Sequence, residues 1–217
     1  MRVFIFISGF LLFFHLANAQ TVTTGNLKNG DLIFVGAEKA NLSGAINRVT
    51  QKRDSIAFDH IGIIEKGHDA TFVLHASSKR GTIRENILAF YQTQKTADNK
   101  IMVYRLKDSF QYAIPAALLS AKKMMGKPYN WTYILNENSY YCSDFIERSF
   151  RKDHIFKLEP MTFINPKTGK TDDFWIDFYK KQHLEVPEGK PGCNPNGLAA
   201  SEKLMLLGNF INQRLAN

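Results

Sequence analysis

Two stretches of β-branched and aromatic residues, at positions 58–64 and 71–76, constrain the fold of this chain more than any other feature. Each has the length of an ordinary strand and is rich in Ile, Val and Phe, which favour strands. The most turn-like point between them is Gly67-His68, with Gly first as a two-residue type II′ turn prefers. We therefore predict an antiparallel hairpin in which Lys66 faces Asp69.

This register predicts that His60 lies directly opposite His75. Opposed residues point to the same face of a sheet with Cβ atoms about 4.5–5.5 Å apart, so the two imidazoles would touch. A general base benefits from such a neighbour, because the second ring holds the first in the productive tautomer. Histidine pairs on strands also serve purely structural roles, and a one-residue bulge would place the two rings on opposite faces.

Cys142 lies at the start of a predicted helix over residues 142–151. One buried helical face is marked by Phe145, Ile146, Ser149 and Phe150. A thiol in the first turn of a helix lies beside unpaired backbone N–H groups and the positive end of the helix dipole, so we expect a lowered thiol pKa. The same N–H groups could hold an oxyanion. A buried, unreactive thiol is the alternative.

The remaining elements follow from short apolar runs and helical spacing. We predict strands at 32–35 and 101–106, helices at 41–50, 115–126 and 199–209, and irregular structure at 157–175. The chain has 217 residues, 44% hydrophobic and 22% charged, which is typical of a folded globular protein and not of a disordered one. Without an internal repeat or a flexible linker, one α+β domain is the expected architecture.

Residues 1–19 have the pattern of a secretory signal peptide. Arg2 precedes an apolar run at 3–14, and a small-x-small cleavage site at 17–19 precedes Gln20. The run is shorter than the roughly 20 residues of a membrane-spanning helix, and no Cys follows the cleavage site to carry a lipid anchor. We expect an exported protein, periplasmic or secreted, with a single folded domain at 20–217 and no stable membrane insertion.

The charge of the chain narrows its expected partners. Lys and Arg number 28 against 20 Asp and Glu, so the formal net charge is +8. This balance favours anionic surroundings such as the cell wall or acidic lipid head groups. Nucleic acid is disfavoured by the expected export and because no basic run is interleaved with aromatic residues.

Two interpretations without a reactive thiol remain open. In an exported chain Cys142 and Cys193 could form a disulfide within a catalytically silent binding module. Cys193 lies in a loop at 186–197 that is rich in Pro and Gly. Alternatively, His60, His75 and Cys142 could bind zinc, since imidazole and thiolate are good zinc ligands. No CxxC or HExxH spacing supports a zinc site.

Five ordered motifs carry a family resemblance. They are GDLIF at 30–34, FDHIGI at 58–63, GKPYN at 126–130, YYCSD at 140–144, and VPEG at 186–189 with NP at 194–195. In this order they resemble the permuted papain-like amidases of the NlpC superfamily, the YaeF/YiiX type. Ordinary papain-like enzymes have the nucleophile helix before the histidine strand. Here His60 precedes Cys142, which is the mark of the circular permutation.

The resemblance implies an antiparallel sheet packed against helices and assigns roles to three residues. Cys142 would be the nucleophile, His60 the general base and His75 the third polar residue that orients His60. Many permuted members have Glu where His75 stands, and a neutral His supports an imidazolium less well than a carboxylate does. No cofactor is expected.

The reaction expected from this resemblance is acyl transfer to water, in which Cys142 attacks an amide or ester carbonyl. The candidate substrate contacts are Tyr129, Tyr140, Tyr141 and Asp59. A tyrosine hydroxyl is also a candidate second oxyanion donor. Two substrate classes fit an exported hydrolase of this kind, namely peptide amides of the cell wall and lipid-linked acyl amides or esters.

Overall fold

A seven-stranded sheet forms the centre of the computed structural model, which describes residues 20–37, 41–50 and 56–212. The strands are β1 (Thr21–Val22), β2 (Leu32–Gly36), β3 (Phe58–Lys66), β4 (Thr71–Ser77), β5 (Gly81–Asn86), β6 (Ile101–Leu106), β7 (Glu159–Pro160), β8 (Ile164–Asn165), β9 (Lys170–Thr171), β10 (Pro191–Gly192) and β11 (Leu204–Phe210). The sheet order is β1-β11-β6-β2-β3-β4-β5. β1 pairs parallel with β11, and the other neighbours are antiparallel.

Six helices accompany these strands in the described part of the chain. They are α1 (Asn41–Thr50), α2 (Ile87–Gln94), α3 (Ile114–Lys123), α4 (Cys142–Phe150), α5 (Asp173–Lys180) and α6 (Pro195–Ala199). Helix α4 packs against α3, β3 and β4. The mixed α+β architecture with an antiparallel sheet against helices confirms the predicted fold class.

Alternate residues of the central strands point to opposite faces of the sheet, and both faces are buried. Phe34 and Ile61 share a core cluster with Phe145 of α4. Their neighbour Val35 shares a second cluster with Phe90 of α2. Covering both faces fixes the register of β2 and β3, because a slip by one residue would exchange the two sets of side chains.

A third cluster joins α1, α5 and the loop before α4. Its buried members are Ala45, Tyr133, Tyr141, Phe163, Trp175 and Tyr179. Arg48 of α1 ties this cluster together by donating from Nε and Nη2 to the two carboxylate oxygens of Asp172, both at 2.9 Å. Asp172 also caps α5, since its side chain accepts from the N–H of Phe174.

The predicted last helix at 199–209 is wrong, because residues 204–210 form strand β11. Four consecutive apolar residues begin this strand, and a short apolar run fits a buried strand and a helix equally well. Gly208 permits the bulge opposite β6, with φ at +143° and no room for a Cβ beside the Gln20 carbonyl. The strand thus fills the position between β1 and β6.

The predicted signal peptide at 1–19 lies outside the described residues. Within the described ranges, no helix combines the length and the apolar character needed to cross a membrane.

Candidate active site

Cys142 is the first residue of α4, as predicted. Tyr141 precedes it in an extended conformation, with φ at −93° and ψ at 168°. Two hydrogen bonds hold the approach to the helix, from Tyr140 N to Pro128 O and from Asn130 N to Tyr140 O, each 3.1 Å. The GKPYN and YYCSD motifs therefore meet in a short bridge, which brings Tyr129 to the start of α4.

The thiol of Cys142 is 5% exposed and donates to the carbonyl oxygen of Asp59, at 3.7 Å. Burial, followed by the Asp59 carboxylate, raises the thiol pKa, which lies at about 12. The backbone N–H groups of Cys142, Ser143 and Ile61 lower it, but desolvation outweighs them. The expectation of a lowered thiol pKa is therefore wrong, and the thiol is neutral in this structure.

His60 and His75 form a direct hydrogen bond, with His60 Nε2 2.8 Å from His75 Nδ1. Their ring centroids are 5.0 Å apart, and both rings pack beside Phe90 of α2. Burial lowers the pKa of both imidazoles, and the neighbouring His75 lowers that of His60 further. Both rings are consequently neutral near pH 7, as a proton acceptor and its partner must be.

The hairpin register that led to this pair is wrong by two residues. Lys66 pairs with Thr71, not with Asp69, and Ile63 pairs with Leu74. The loop falls one residue later than predicted, at His68-Asp69, where Gly67 N donates to Ala70 O at 2.8 Å. A shift of two residues keeps each side chain on its face, so the histidines become diagonal neighbours and not opposed ones.

Gly62 makes the diagonal contact possible. A Cβ at this position would lie 2.4 Å from Val73 Cγ1 and 3.2 Å from His75 Cβ. Since real Cβ atoms do not approach so closely, a larger residue at position 62 would push β4 away from β3. Glycine in this strand is thus a packing requirement of the histidine pair.

Glu85 of β5 stands behind the histidine pair, and the sequence did not indicate it. Its Oε2 is 3.3 Å from His75 Nε2, and its Oε1 forms an ion pair with Arg80. Glu85 is 7% exposed. Strand β5 was not predicted because its residues alternate weakly in polarity. The glycine at position 81, whose φ is +71°, is the sequence feature that could have indicated a turn leading into a further strand.

Cys142 and Asp59 open onto a cavity of about 1010 Å³. Tyr129 and Tyr141, two of the predicted substrate contacts, line the same cavity. Tyr140 does not line it, because its hydroxyl donates to Glu137 O at 3.1 Å and its ring lies under the Arg148 guanidinium. Asp59 reaches the cavity at a bulge, where β2 places Val35 and Gly36 opposite His60 and Phe58.

Tyr133 is a cavity residue that the sequence did not reveal. Its φ is +56°, which is rare and costly for a bulky residue. The side chain is 8% exposed and packs against Tyr141 and Trp175. Its buried hydroxyl forms no well-aligned hydrogen bond in the described structure and interacts with the Tyr129 side chain. A positive φ at a tyrosine cannot be predicted from the amino-acid sequence.

His60 and Cys142 approach the same segment of β3 from different sides. Ile61 faces α4, whereas His60 lies across from Val35 and contacts the α2 side. The hydrogen bonds of the described residues include none between Cys142 and His60. The thiol lies next to the backbone of residues 59–61, which carries the imidazole.

Both cysteines are free thiols in the structure. Cys193 also lines the cavity, and its backbone is bound to the start of α4. Its N–H donates to Tyr141 Oη at 3.2 Å, and its carbonyl accepts from Ser143 Oγ at 3.0 Å. The loop at 186–197 thereby forms one wall of the site.

The donor set does not fit a zinc ion. Both ring nitrogens of His75 are already engaged, Nδ1 with His60 and Nε2 with Glu85. Three ligands directed at one point are the minimum for a zinc site. No group of three His, Cys, Asp or Glu side chains within the described ranges has that arrangement.

Comparison with known proteins agrees with this topology. The family described as "Permuted papain-like amidase enzyme, YaeF/YiiX, C92 family" matches residues 26–208. A solved structure, titled as metalloprotein yiiX from Escherichia coli O157:H7, has a TM-score of 0.65 at 17% identity and covers 84% of this chain and 97% of its own. No curated protein sequence matches the chain. This chain therefore belongs to the permuted papain-like amidases of the YaeF/YiiX, C92 family.

Proposed function

We propose that this protein is an exported cysteine hydrolase that cleaves an amide or ester bond through Cys142, His60 and His75. Membership of the permuted papain-like amidase family supports a cysteine hydrolase in general. The observation that carries the specific proposal is the placement of Cys142, which lies in the first turn of α4 beside the His60 segment and opens onto the cavity.

The reaction begins with the thiol and the imidazole both neutral. As Cys142 Sγ attacks the substrate carbonyl carbon, its proton leaves the Asp59 carbonyl and passes through a bridging water to His60 Nδ1, since the two side chains form no direct hydrogen bond. The S–C bond forms while the carbonyl π bond opens to an oxyanion. The N–H groups of Cys142 and Ser143 lie in the first helical turn, where they lack helical partners, and they stabilise this oxyanion.

Collapse of the oxyanion breaks the C–N or C–O bond of the substrate. The imidazolium of His60 returns its proton to the leaving amine or alcohol, which leaves a thioester on Cys142. Water then attacks the thioester with His60 as base, and the carboxylic acid and the free thiol are released. The buried hydroxyl of Tyr133, which lines the cavity beside Tyr129, is a further donor for the oxyanion.

The lining of the cavity favours a lipid-linked acyl substrate over a cell-wall peptide. Its apolar lining residues include Ile46, Val49, Ile155, Phe156, Met161, Phe163, Trp175 and Leu198. The volume lies at the upper end of the roughly 300–1,000 Å³ range of small-molecule sites. An acyl chain gains from burial against such a wall, and the polar lining residues, which include Lys107, Lys157 and Glu159, would contact the polar remainder of the substrate.

Substitution of each cysteine tests the nucleophile. Turnover of p-nitrophenyl esters and of acyl amides should fall at least about 1,000-fold in Cys142→Ala, because the acyl-enzyme cannot form. Cys193→Ser is the matched control, since Cys193 lines the same cavity, and it should keep most of the activity. Full activity in Cys142→Ala would contradict the proposal.

Export is tested separately by N-terminal sequencing of the mature protein, whose sequence should begin at Gln20.

A further inference from the structure

The third member of the proposed site is itself held by a buried carboxylate. His75 is fully buried on β4, and β5 places Glu85 beside its Nε2, at 3.3 Å. Arg80, at the end of the β4–β5 turn, pairs with the other carboxylate oxygen. The histidine that stands in the position of the family's glutamate therefore has a carboxylate directly behind it.

The donor and acceptor roles along the hydrogen bonds that link His60, His75 and Glu85 follow from the chemistry of these groups. An ionised carboxylate only accepts hydrogen bonds, so His75 Nε2 must carry the hydrogen that faces Glu85. A neutral imidazole has one N–H, which leaves a lone pair on His75 Nδ1. That lone pair accepts from His60 Nε2, at 2.8 Å. The remaining lone pair of His60 is then on Nδ1, the nitrogen that the proposed mechanism uses as base.

We propose that Glu85 is a positioning residue that fixes the tautomers of His75 and His60 and supplies the negative charge that a histidine in the third position lacks. The inference rests on the proposed function. When His60 accepts the thiol proton, its Nε2–H stays bonded to His75 and no proton moves to Glu85. The carboxylate stabilises the imidazolium through space, two rings away from the thiol.

The charge state of Glu85 agrees with this role. The hydrogen bond from His75 lowers the pKa of Glu85, and the Arg80 guanidinium lowers it further, against the effect of burial. The carboxylate is thus ionised at neutral pH, as a group that only accepts hydrogen bonds must be.

The tautomers are measurable without any substrate. In the full-length protein at pH 7, nitrogen-15 NMR of the imidazoles should show a hydrogen on Nε2 of both His60 and His75. In Glu85→Gln the amide can donate as well as accept, so a population with hydrogen on His75 Nδ1 should appear. A wild-type His75 protonated on Nδ1 would overturn the inference directly, even if Glu85→Gln failed to fold.

Kinetics supply the second measurement. Glu85→Gln should lower kcat about 10- to 100-fold, the range seen when the partner that orients a metal-bound histidine is removed, with little change in KM. Loss of the negative charge should also move the acid limb of the pH profile to lower pH, because the His60 imidazolium loses support. A structural defect alone would not move that limb.

Glu65→Gln is the matched control. Glu65 is 8% exposed and pairs with Arg84 and Lys122, but it contacts neither histidine. Its substitution should leave the tautomers and the pH profile unchanged. Identical pH profiles and tautomers in Glu85→Gln and Glu65→Gln would overturn the inference. Failure of the proposed function would instead appear as undiminished activity in Cys142→Ala, with the tautomer result intact.

Discussion

Two opposing environments determine the state of the Cys142 thiol. The helix N-terminus favours a thiolate, and burial beside the Asp59 carbonyl favours the neutral thiol. Burial outweighs the helix because the N–H groups that reach the sulfur do not replace the hydration that a thiolate would lose. In the proposed mechanism, a neutral Cys–His pair means that His60 acts as a base during attack, not in advance of it.

The pH dependence of alkylation tests this state. In Cys193→Ser protein, iodoacetamide should label Cys142 about 10- to 100-fold more slowly at pH 7 than it labels free cysteine, since little thiolate is present. The rate should keep rising with pH toward the thiol pKa of about 12, with no plateau near neutrality. Rapid labelling near pH 6 that disappears in His60→Ala would contradict a neutral pair.

At the scale of elements, the β3–β4 hairpin positions His60 and His75, the proposed base and its partner, through one close contact. Gly62→Ala should destabilise the protein by about 1–3 kcal/mol, the usual cost of overpacking, and should lower kcat by lengthening the bond from His60 to His75. Urea unfolding and ester turnover measure the two effects.

Gly25→Ala, outside the cavity lining, serves as the control for Gly62→Ala. A Cβ at position 25 would meet nothing closer than 3.8 Å, and no positive φ is involved. Its stability and turnover should match the wild type. Equal stability losses at the two positions would contradict a specific role for the space beside His75.

Comparison of the predicted and observed helices and strands shows which parts of the fold can be predicted from sequence periodicity. Helix α4 and strands β3 and β4 were predicted because their apolar residues repeat with one clear period. The two-residue shift of the hairpin register could not be predicted, because moving the turn along the chain leaves the alternation of apolar and polar residues unchanged. Glu85 was not identified because its strand, β5, was not predicted. Strand β11 was assigned to a helix because a short apolar run has no periodicity that distinguishes a strand from a helix. The diagonal histidine contact depends on a glycine gap that only coordinates reveal.

At the scale of the whole molecule, the cavity is assembled from distant parts of the chain. Helix α1, the loop before α4, the segment before α5 and the loop at 186–197 each supply part of its wall. The hydrogen bonds from Arg48 to Asp172 fasten two of these parts together. The substrate preference is therefore a property of the assembled domain and not of the Cys142 motif.

A series of p-nitrophenyl esters tests the acyl preference. The value of kcat/KM should rise by up to about fourfold per added methylene, which corresponds to roughly 0.8 kcal/mol of burial. Met161→Glu, in the cavity wall, should abolish the rise, while Met205→Glu on an exposed position of β11 should not. A flat series together with turnover of cell-wall peptides would favour the other substrate class.

The buried position of Cys142 beside the Asp59 carbonyl also affects how well its thiol resists oxidation. Oxidation to sulfenic acid requires a thiolate, and the first step of thiol–disulfide exchange does too. A thiol kept protonated and 5% exposed resists both reactions. In the oxidising compartment that the proposed export implies, this burial would preserve the proposed nucleophile until a substrate enters, so chemical durability and catalytic readiness depend on the same buried environment.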